Sequence, residues 1–268
     1  RVVVEVHKGC GRCRNCIMGK YTVCLNYGNS AKGHRANGFT TNGGFAEYAV
    51  NHVNTLIKLP DTISIDEATT ITTAGTSLYG IDMAGGYIPG DTVAVLGPGS
   101  IGLMAIQCSK ALGAGKVILT GTRDNRLTLG KKLGADVGVN VKKEDPVQKI
   151  KALTGGRGAD FVLVASGQEA SLQQALEMTR KGGDITILAH FEKPVMTDIG
   201  LAVKNGINLY TVRGEGRMSC HRALSLMEEG KINGKALITH TFSLEDINEA
   251  LATFVERRDD ALKVVVHP

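Results

Sequence analysis

Four of the six cysteines lie within fifteen residues near the start of the sequence. Cys10, Cys13, Cys16 and Cys24 follow the spacing C-x2-C-x2-C-x7-C. Thiolates spaced in this way can surround one Zn²⁺ tetrahedrally within a single loop, so the pattern predicts a structural zinc site. Because four protein ligands saturate the ion, we expect no catalytic role for it.

Other interpretations fit these cysteines less well. Disulfides are typical of small secreted scaffolds, whereas this sequence has 268 residues. A four-iron cluster usually shows C-x2-C-x2-C-x3-C-P, but the last gap here is seven and no proline follows it. Four unligated thiols would be unusual at this density. Cys108 and Cys220 lie in helical patterns and are expected to be small buried side chains.

A second candidate site is the glycine loop, residues 97–102, which reads Gly-Pro-Gly-Ser-Ile-Gly. It follows a predicted strand and opens a predicted helix, and this context favours a dinucleotide site over an ordinary turn. The first glycine makes the turn, the second admits the pyrophosphate and the third allows close packing. The helix N-terminus offers N–H groups to phosphates. The predicted cofactor-binding residues here are Gly97, Gly99, Ser100, Ile101 and Gly102.

The end of the next strand distinguishes the two nicotinamide cofactors. An NAD site usually carries an acidic residue there, which binds the ribose 2′-hydroxyl. Here the strand ends in Gly121-Thr122-Arg123. Glycine leaves room for a 2′-phosphate, threonine offers a hydroxyl and arginine offers a charged fork. The sequence therefore predicts NADP(H); in the alternative, Arg123 is only a solvated helix-start residue and Asp124 binds the ribose.

Two later strand ends are expected to line the same crevice. The carboxyl ends of parallel strands meet at one edge of a sheet, where the cofactor binds. Ser166 and Gly167 follow the fourth predicted strand, and the fifth ends at Leu188-Ala189. We expect these four residues to contact the cofactor, with turn formation as the alternative explanation for the glycine.

Between residues 59 and 212, apolar β-rich runs alternate with helical stretches. This alternation predicts an α/β fold with a doubly wound parallel sheet of the Rossmann type. Residues 1–58 form short β-like runs, including one at Phe45–Val50, and residues 213–268 contain two amphipathic helices, at 217–229 and 245–257. The predicted domain boundaries are 1–76, 77–212 and 213–268. The six predicted strands of the sheet are Thr92–Leu96, Lys116–Thr120, Val137–Val141, Phe161–Ala165, Asp184–Leu188 and Ile207–Val212.

Charge and hydropathy argue against two classes of partner. The formal net charge is +5. Residues 1–35, which hold four of the six cysteines, account for +6 of it, and the rest of the chain for −1. Four thiolates around Zn²⁺ would carry −2 and reduce the total to about +3. No basic stripe with interleaved aromatic residues indicates nucleic-acid binding. No uncharged apolar run reaches the ~18 residues of a membrane span.

The order of the motifs is also informative. The cysteines are followed by Gly43–Tyr48, then Leu59–Asp61, then Pro89–Val93 leading into the glycine loop, and Ile238–Leu244 lies near the end. This order resembles the zinc-containing medium-chain alcohol and polyol dehydrogenases. The resemblance implies a GroES-like catalytic domain, only part of which is present, split in sequence around a Rossmann domain. It also implies a cytoplasmic homo-oligomer, a dimer or tetramer, that transfers hydride between NADP(H) and a secondary alcohol, polyol or ketone.

The sequence departs from that family at the catalytic zinc. The family carries its first ligands, a Cys and a Gly-His-Glu segment, upstream of the four cysteines, so this sequence is expected to be an N-terminally truncated chain. A further ligand position falls on Thr72 or Thr73, and threonine is a poor ligand for Zn²⁺. A catalytic zinc is therefore doubtful, and no catalytic residue is assigned. Thr76 falls where the family places a hydroxyl near the nicotinamide, with a helix N-cap as the alternative.

Two other functions remain open at this point. One is a catalytically incomplete NADP-binding module or fragment, which the missing ligands favour. The other is a zinc-free quinone-type reductase, which explains Thr72 and Thr73 but generally lacks the four cysteines.

Overall fold

The structure is a computed structural model that describes residues 1–216 and 218–268. The chain forms two compact units, one from Arg1–Thr76 with Arg213–Pro268 and the other from Ser77–Val212. The predicted helix 217–229 begins at Arg217, which lies outside the described residues.

The strands and helices follow in chain order. The strands are β1 (Val2–Val4), β2 (His7–Lys8), β3 (Arg35–Ala36), β4 (Leu56–Lys58), β5 (Thr92–Leu96), β6 (Lys116–Gly121), β7 (Val137–Asn140), β8 (Ala159–Val164), β9 (Thr179–Ile187), β10 (Asn208–Thr211), β11 (Ile238–Ser243) and β12 (Lys263–His267). The helices are α1 (Arg14–Ile17), α2 (Ile65–Ala68), α3 (Ile71–Met83), α4 (Ser100–Ala111), α5 (Asp124–Lys132), α6 (Pro146–Leu153), α7 (Ala170–Met178), α8 (Ile199–Asn205), α9 (Ser219–Glu228) and α10 (Ile247–Glu256).

The unit 77–212 is built on a six-stranded parallel sheet with the order β10-β9-β8-β5-β6-β7. The central strands are mostly apolar because helices cover both faces of such a sheet. In β8 every residue is buried, and Ala94 of β5 and Ile118 of β6 are fully buried as well. The predicted doubly wound α/β fold is confirmed. Its strand order places the carboxyl ends of β5, β6 and β8 side by side.

The described residues of the other unit form three small sheets. β1 pairs with β4 and β2 with β3, both antiparallel, whereas β11 and β12 are parallel. Cys220, on the inner face of α9, is buried as expected; so is Cys108, on α4 of the Rossmann unit.

The strand predicted at Phe45–Val50 is wrong, because that segment is irregular in the structure. An extended run becomes a strand only when a neighbour accepts and donates its backbone hydrogen bonds, and within the described residues no strand pairs with it. Tyr48 and Val50 are exposed instead. Among the described residues, no helix combines the length and the apolar character needed to cross a bilayer.

Candidate metal centre and cofactor site

The four cysteines of residues 10–24 come together in a cluster, here called the cysteine lobe. Their Sγ atoms all lie within 4.8 Å of one another. The separation is 3.5 Å between Cys13 and Cys16, 3.8 Å between Cys13 and Cys24, and 4.0 Å between Cys10 and Cys16. Tetrahedral coordination with Zn–S bonds of about 2.3 Å requires S···S distances of about 3.8 Å. The donor set therefore has the size and chemistry of a structural zinc site.

Local backbone geometry explains how so short a segment closes on itself. The helix α1 begins after Cys13, which places Cys16 one turn further along. Gly9 lets two other parts of the lobe approach, because a Cβ there would lie 2.5 Å from Cys16 Sγ and 2.8 Å from Tyr21 Cβ. Gly11 takes a left-handed conformation with φ of +76°, which residues with a side chain rarely adopt.

Hydrogen bonds to sulfur prepare the lobe for negative charge. Asn26 Nδ2 donates to Cys10 Sγ at 3.2 Å, and this bond is the main cause that lowers the pKa of Cys10 to about 5. Cys24 Sγ accepts from the backbone N–H groups of Cys10 and Asn26 at 3.4 and 3.3 Å. Burial has the opposite effect on Cys16, whose pKa it raises to about 12. Four thiolates in this volume therefore require a cation, and the cysteines form no disulfide.

The glycine loop follows β5 and leads into α4, as the predicted motif requires. Gly97 has φ of +106°, and a Cβ on Gly102 would lie 1.9 Å from the Gly97 carbonyl oxygen. Gly99, in contrast, faces open space: a Cβ there would meet no atom within 4 Å. The loop is thus tight at the first and third glycines and open at the second, beside the N-terminus of α4. A dinucleotide pyrophosphate fits this cradle.

The loop lies against two of the predicted strand ends. A Cβ on Gly97 would lie 2.9 Å from Ser166 Cβ, and a Cβ on Gly121 would lie 2.5 Å from Pro98 Cγ. Gly121 therefore has a packing reason to be glycine, because a side chain there would collide with Pro98. Thr122 is exposed and Arg123 partly exposed at the start of α5.

The remaining strand-end residues differ in what they present. Ser166 Oγ accepts a hydrogen bond from Ser171 Oγ at 3.0 Å, and Gly167 lies close to the carbonyl oxygen of His190. Leu188 is buried, and a Cβ on Gly80 would come within 2.3 Å of its Cδ2 atom, so its side chain packs into the core. The Leu188 side chain is therefore not available to a ligand, whereas Ala189 is partly exposed.

Thr76 lies in the other unit and in the middle of α3, so its predicted alternative as a helix N-cap is wrong. Its Oγ1 donates to the carbonyl oxygen of Thr72 at 3.0 Å. Among the residues that the structure describes, the cysteine lobe is the one group of three or more Cys, His, Asp or Glu side chains close enough to share a metal ion. The donors present in the described chain, with Thr72 and Thr73 on α3, do not fit a second zinc site.

Comparison with known proteins decides the family. The Alcohol dehydrogenase GroES-like domain matches residues 1–61, and the family described as Zinc-binding dehydrogenase matches residues 100–229. An L-threonine 3-dehydrogenase of Bacillus licheniformis is 34% identical over 269 aligned residues, which cover all of this chain and 75% of that protein. The chain belongs to the zinc-binding medium-chain alcohol and polyol dehydrogenases.

Further relatives support the assignment of this chain to the zinc-binding dehydrogenases. Sorbitol dehydrogenase of Bacillus subtilis is 29% identical, across the whole chain and 74% of that protein. The crystal structure of a putative zinc-binding dehydrogenase from Sinorhizobium meliloti, bound to NADP, superposes with a TM-score of 0.88 at 26% identity and covers 100% of this chain and 76% of that one. The family expected from the order of the motifs is thereby confirmed.

This zinc-binding dehydrogenase also contains a buried ionisable cluster that the sequence reasoning missed. Glu215, 3% exposed, accepts a hydrogen bond from the Val6 N–H at 2.7 Å and lies 3.6 Å from Nδ1 of His7. The Tyr21 hydroxyl donates to Glu5, and burial raises the pKa of Glu5 to about 7. The cluster ties the returning segment at residue 215 to the start of the sequence. The missed signal was Glu5 itself, an acid inside an apolar β-like run.

An aromatic group extends this cluster within the same unit. The guanidinium of Arg213 lies over the ring of Tyr27, 3.9 Å from the ring centroid. The ring centroids of Tyr27 and His34 are 4.3 Å apart. His34 is buried and its Nδ1 accepts from the Gly28 N–H at 3.1 Å; burial lowers its pKa. These groups are positioned for packing and charge balance in the dehydrogenase fold.

Proposed function

We propose that this chain transfers a hydride between NADP(H) and a secondary alcohol, a polyol or the matching ketone. The observation that carries the proposal is the glycine loop, open at Gly99, beside a strand end with no acid at Gly121-Thr122-Arg123. The names of two relatives give L-threonine and sorbitol as substrates, and both molecules carry a secondary hydroxyl group.

The choice of NADP(H) over NAD(H) is supported by the engagement of Asp124. Its Oδ1 accepts from Asn140 Nδ2 at 2.7 Å, and its Oδ2 pairs with Lys143 Nζ at 2.8 Å. A ribose 2′-hydroxyl would have to compete with both partners. The planar guanidinium group of an arginine such as Arg123 matches the geometry of a phosphate.

In the proposed site the nicotinamide, when bound, supplies the hydride chemistry, and the protein supplies position. The α4 N-terminus binds the pyrophosphate through backbone N–H groups. Thr122 and Arg123 hold the 2′-phosphate, and the backbone after β8 and β9, including Ser166 and Ala189, lines the crevice. We assign residues 77–212 to cofactor binding and residues 1–76 with 213–268 to the catalytic domain. No step is derived through a catalytic zinc, because the described residues do not fit one.

Cofactor affinity tests this proposal directly. We expect the wild-type chain to bind NADPH at least about tenfold more tightly than NADH, and Arg123→Ala to lose most of that preference. Arg157→Ala is the matched control, since Arg157 is exposed in the loop that enters β8. Equal affinity of the wild type for NADPH and NADH would contradict the proposed specificity.

One alternative function is a catalytically incomplete NADP-binding module, which the single described metal-donor cluster favours. Oxidation of NADPH with a panel of ketones separates the two: robust turnover supports the dehydrogenase, and tight binding without turnover supports the module. Metal analysis adds a second readout, because one zinc per chain indicates the cysteine lobe alone. A zinc-free quinone-type reductase is a poorer interpretation, because such enzymes generally lack the four cysteines of the cysteine lobe.

We also propose that the chain works in the cytoplasm as a homo-oligomer, a dimer or tetramer. None of its six cysteines forms a disulfide, which suits a reducing compartment. Light scattering of the purified chain measures the assembly, and a monomer at micromolar concentration would contradict it.

A further inference from the structure

We propose that Lys143 is a specificity-determining residue that favours NADP(H) by neutralising Asp124, the carboxylate next to the residue assigned to the 2′-phosphate. The inference rests on the proposed NADP(H) function and extends it to a residue outside the strand-end motif.

Sheet register brings the two segments together. β6 and β7 are parallel neighbours, with Gly121 opposite Asn140. The Val141 N–H donates to the Gly121 carbonyl oxygen at 2.9 Å, so the chain stays paired one step beyond the strand. Residues 121–124 and 140–143 consequently form one corner at the carboxyl edge of the sheet, here called the β6–β7 corner.

Within this corner the Asp124 carboxylate is held at both oxygens. Lys143 Nζ lies 2.8 Å from Oδ2, and Asn140 Nδ2 donates to Oδ1 at 2.7 Å. Asn140 is buried, and its own Oδ1 accepts from the Lys142 N–H at 3.0 Å, which fixes the orientation of the amide. The hydrogen bond from Lys143 is the main cause that lowers the pKa of Asp124, so this carboxylate is an anion throughout the neutral range.

The exposure of the pair indicates a role in charge rather than in stability. The side chains of Lys143 and Asp124 are 67% and 64% exposed, and an ion pair in that position contributes little to folding. Its charges can still act on an anion that binds within a few ångströms of them, although water and salt screen them at longer range.

The consequence for cofactor choice follows from charge. A phosphate monoester carries between one and two negative charges at neutral pH. With Lys143 in place, the carboxylate that follows Arg123 is balanced by an ammonium. Without Lys143, that carboxylate would repel the 2′-phosphate, whereas NADH, which lacks this phosphate, would be little affected.

A double-mutant cycle on cofactor binding tests the inference without requiring turnover. NADPH and NADH are titrated by the fluorescence of the reduced nicotinamide, a signal free of tryptophan emission because the chain has no Trp, and by calorimetry. We expect Lys143→Met to weaken NADPH binding about fivefold and to change NADH binding less than twofold. Adding Asp124→Asn should restore NADPH affinity to within about twofold of wild type, since no carboxylate is left to mask.

Two results would overturn the proposal that Lys143 acts by neutralising Asp124. The first is an NADPH affinity of Lys143→Met that equals that of the wild type. The other is a double variant as weak as Lys143→Met, which would mean that Lys143 contacts the phosphate directly. Lys149→Met is the control, because Lys149 pairs with Glu144 at 3.0 Å on the nearby helix α6 and should leave both affinities unchanged. Failure of the proposed function looks different: the wild type itself would bind NADH as tightly as NADPH.

Discussion

Replacing Glu5 by glutamine should change how the stability of the chain depends on pH. Burial raises the pKa of this carboxyl from its ordinary value of 4.5 to about 7; the charge of Glu215 acts in the same direction, whereas the hydrogen bond from Tyr21 and the charge of His7 oppose the shift. Between these two pH values the folded chain keeps a proton at Glu5 that the unfolded chain releases. The stabilisation is therefore complete below pH 4.5 and is lost as the pH rises through about 7.

The size of the effect follows from the same interval. Between pH 5.5 and about 7 a carboxyl with this pKa would lose about 2 kcal/mol of stabilisation. Glu5 is only partly buried, so solvent screening reduces the figure to roughly 1 kcal/mol. The lowered pKa of His34 works in the opposite direction, but it is present in both proteins and cancels in the difference between them.

Urea unfolding of wild type and Glu5→Gln at pH 5.5, 6.5, 7.5 and 8.5 measures this difference. We expect the free energy of unfolding of the wild type, relative to Glu5→Gln, to fall by about 1 kcal/mol from pH 5.5 to 8.5. Zinc is kept saturating so that release of the metal does not enter the comparison. Glu228→Gln, an exposed position on α9, serves as the control and should follow the wild type at every pH. A constant difference between wild type and Glu5→Gln across the range would refute the reasoning.

Further predictions concern the glycines and the metal. Gly99→Ala should abolish NADPH binding without lowering Tm, because its Cβ would enter only the open cradle. Gly102→Ala should lower both NADPH affinity and Tm, since its Cβ would lie 1.9 Å from a backbone oxygen. An equal loss of Tm in the two variants would contradict this expectation. Cys24→Ser should reduce bound zinc from about one per chain to well below one, measured by metal analysis; unchanged zinc content would exclude Cys24 as a ligand. Gly214→Ala should lower the free energy of unfolding by about 2 kcal/mol or more. The reason is that φ at this position is +64° and that a Cβ there would lie 2.6 Å from the His7 ring. Denaturation at fixed pH measures the change, and a value below about 0.5 kcal/mol would contradict the prediction.

The Rossmann unit was predictable because its signals are local. The strand Thr92–Leu96 was expected from its apolar run and has the same bounds in the structure. A strand buried on both faces, a glycine turn and a helix follow one another within some twenty residues, and each restricts the next. The clustering of the cysteine lobe is local for the same reason, since one loop supplies all four thiols.

What the sequence did not reveal depends on distant partners. Glu215 and the Val6 N–H are 209 positions apart, and no periodicity links them. Phe45–Val50 has the composition of a strand, but pairing decides whether such a run becomes one, and pairing is not encoded in the run itself. Thr76 suits an N-cap by residue type, yet α3 begins five residues earlier, because apolar residues from Ile71 onward are buried in a continuous helix.

The discontinuity of the unit formed by residues 1–76 and 213–268 has a consequence for biosynthesis. On the ribosome the first 76 residues emerge on the order of ten seconds before Glu215, at about 5–20 residues per second. Until then the Val6 N–H and the His7 ring lack the carboxylate that meets them in the folded chain. The cysteine lobe needs no such delay, since its ligands span fifteen residues. Zinc can therefore order the cysteine lobe early in synthesis. The rest of the unit cannot fold until residues 213–268 have emerged, and during that interval it is open to chaperones and proteases.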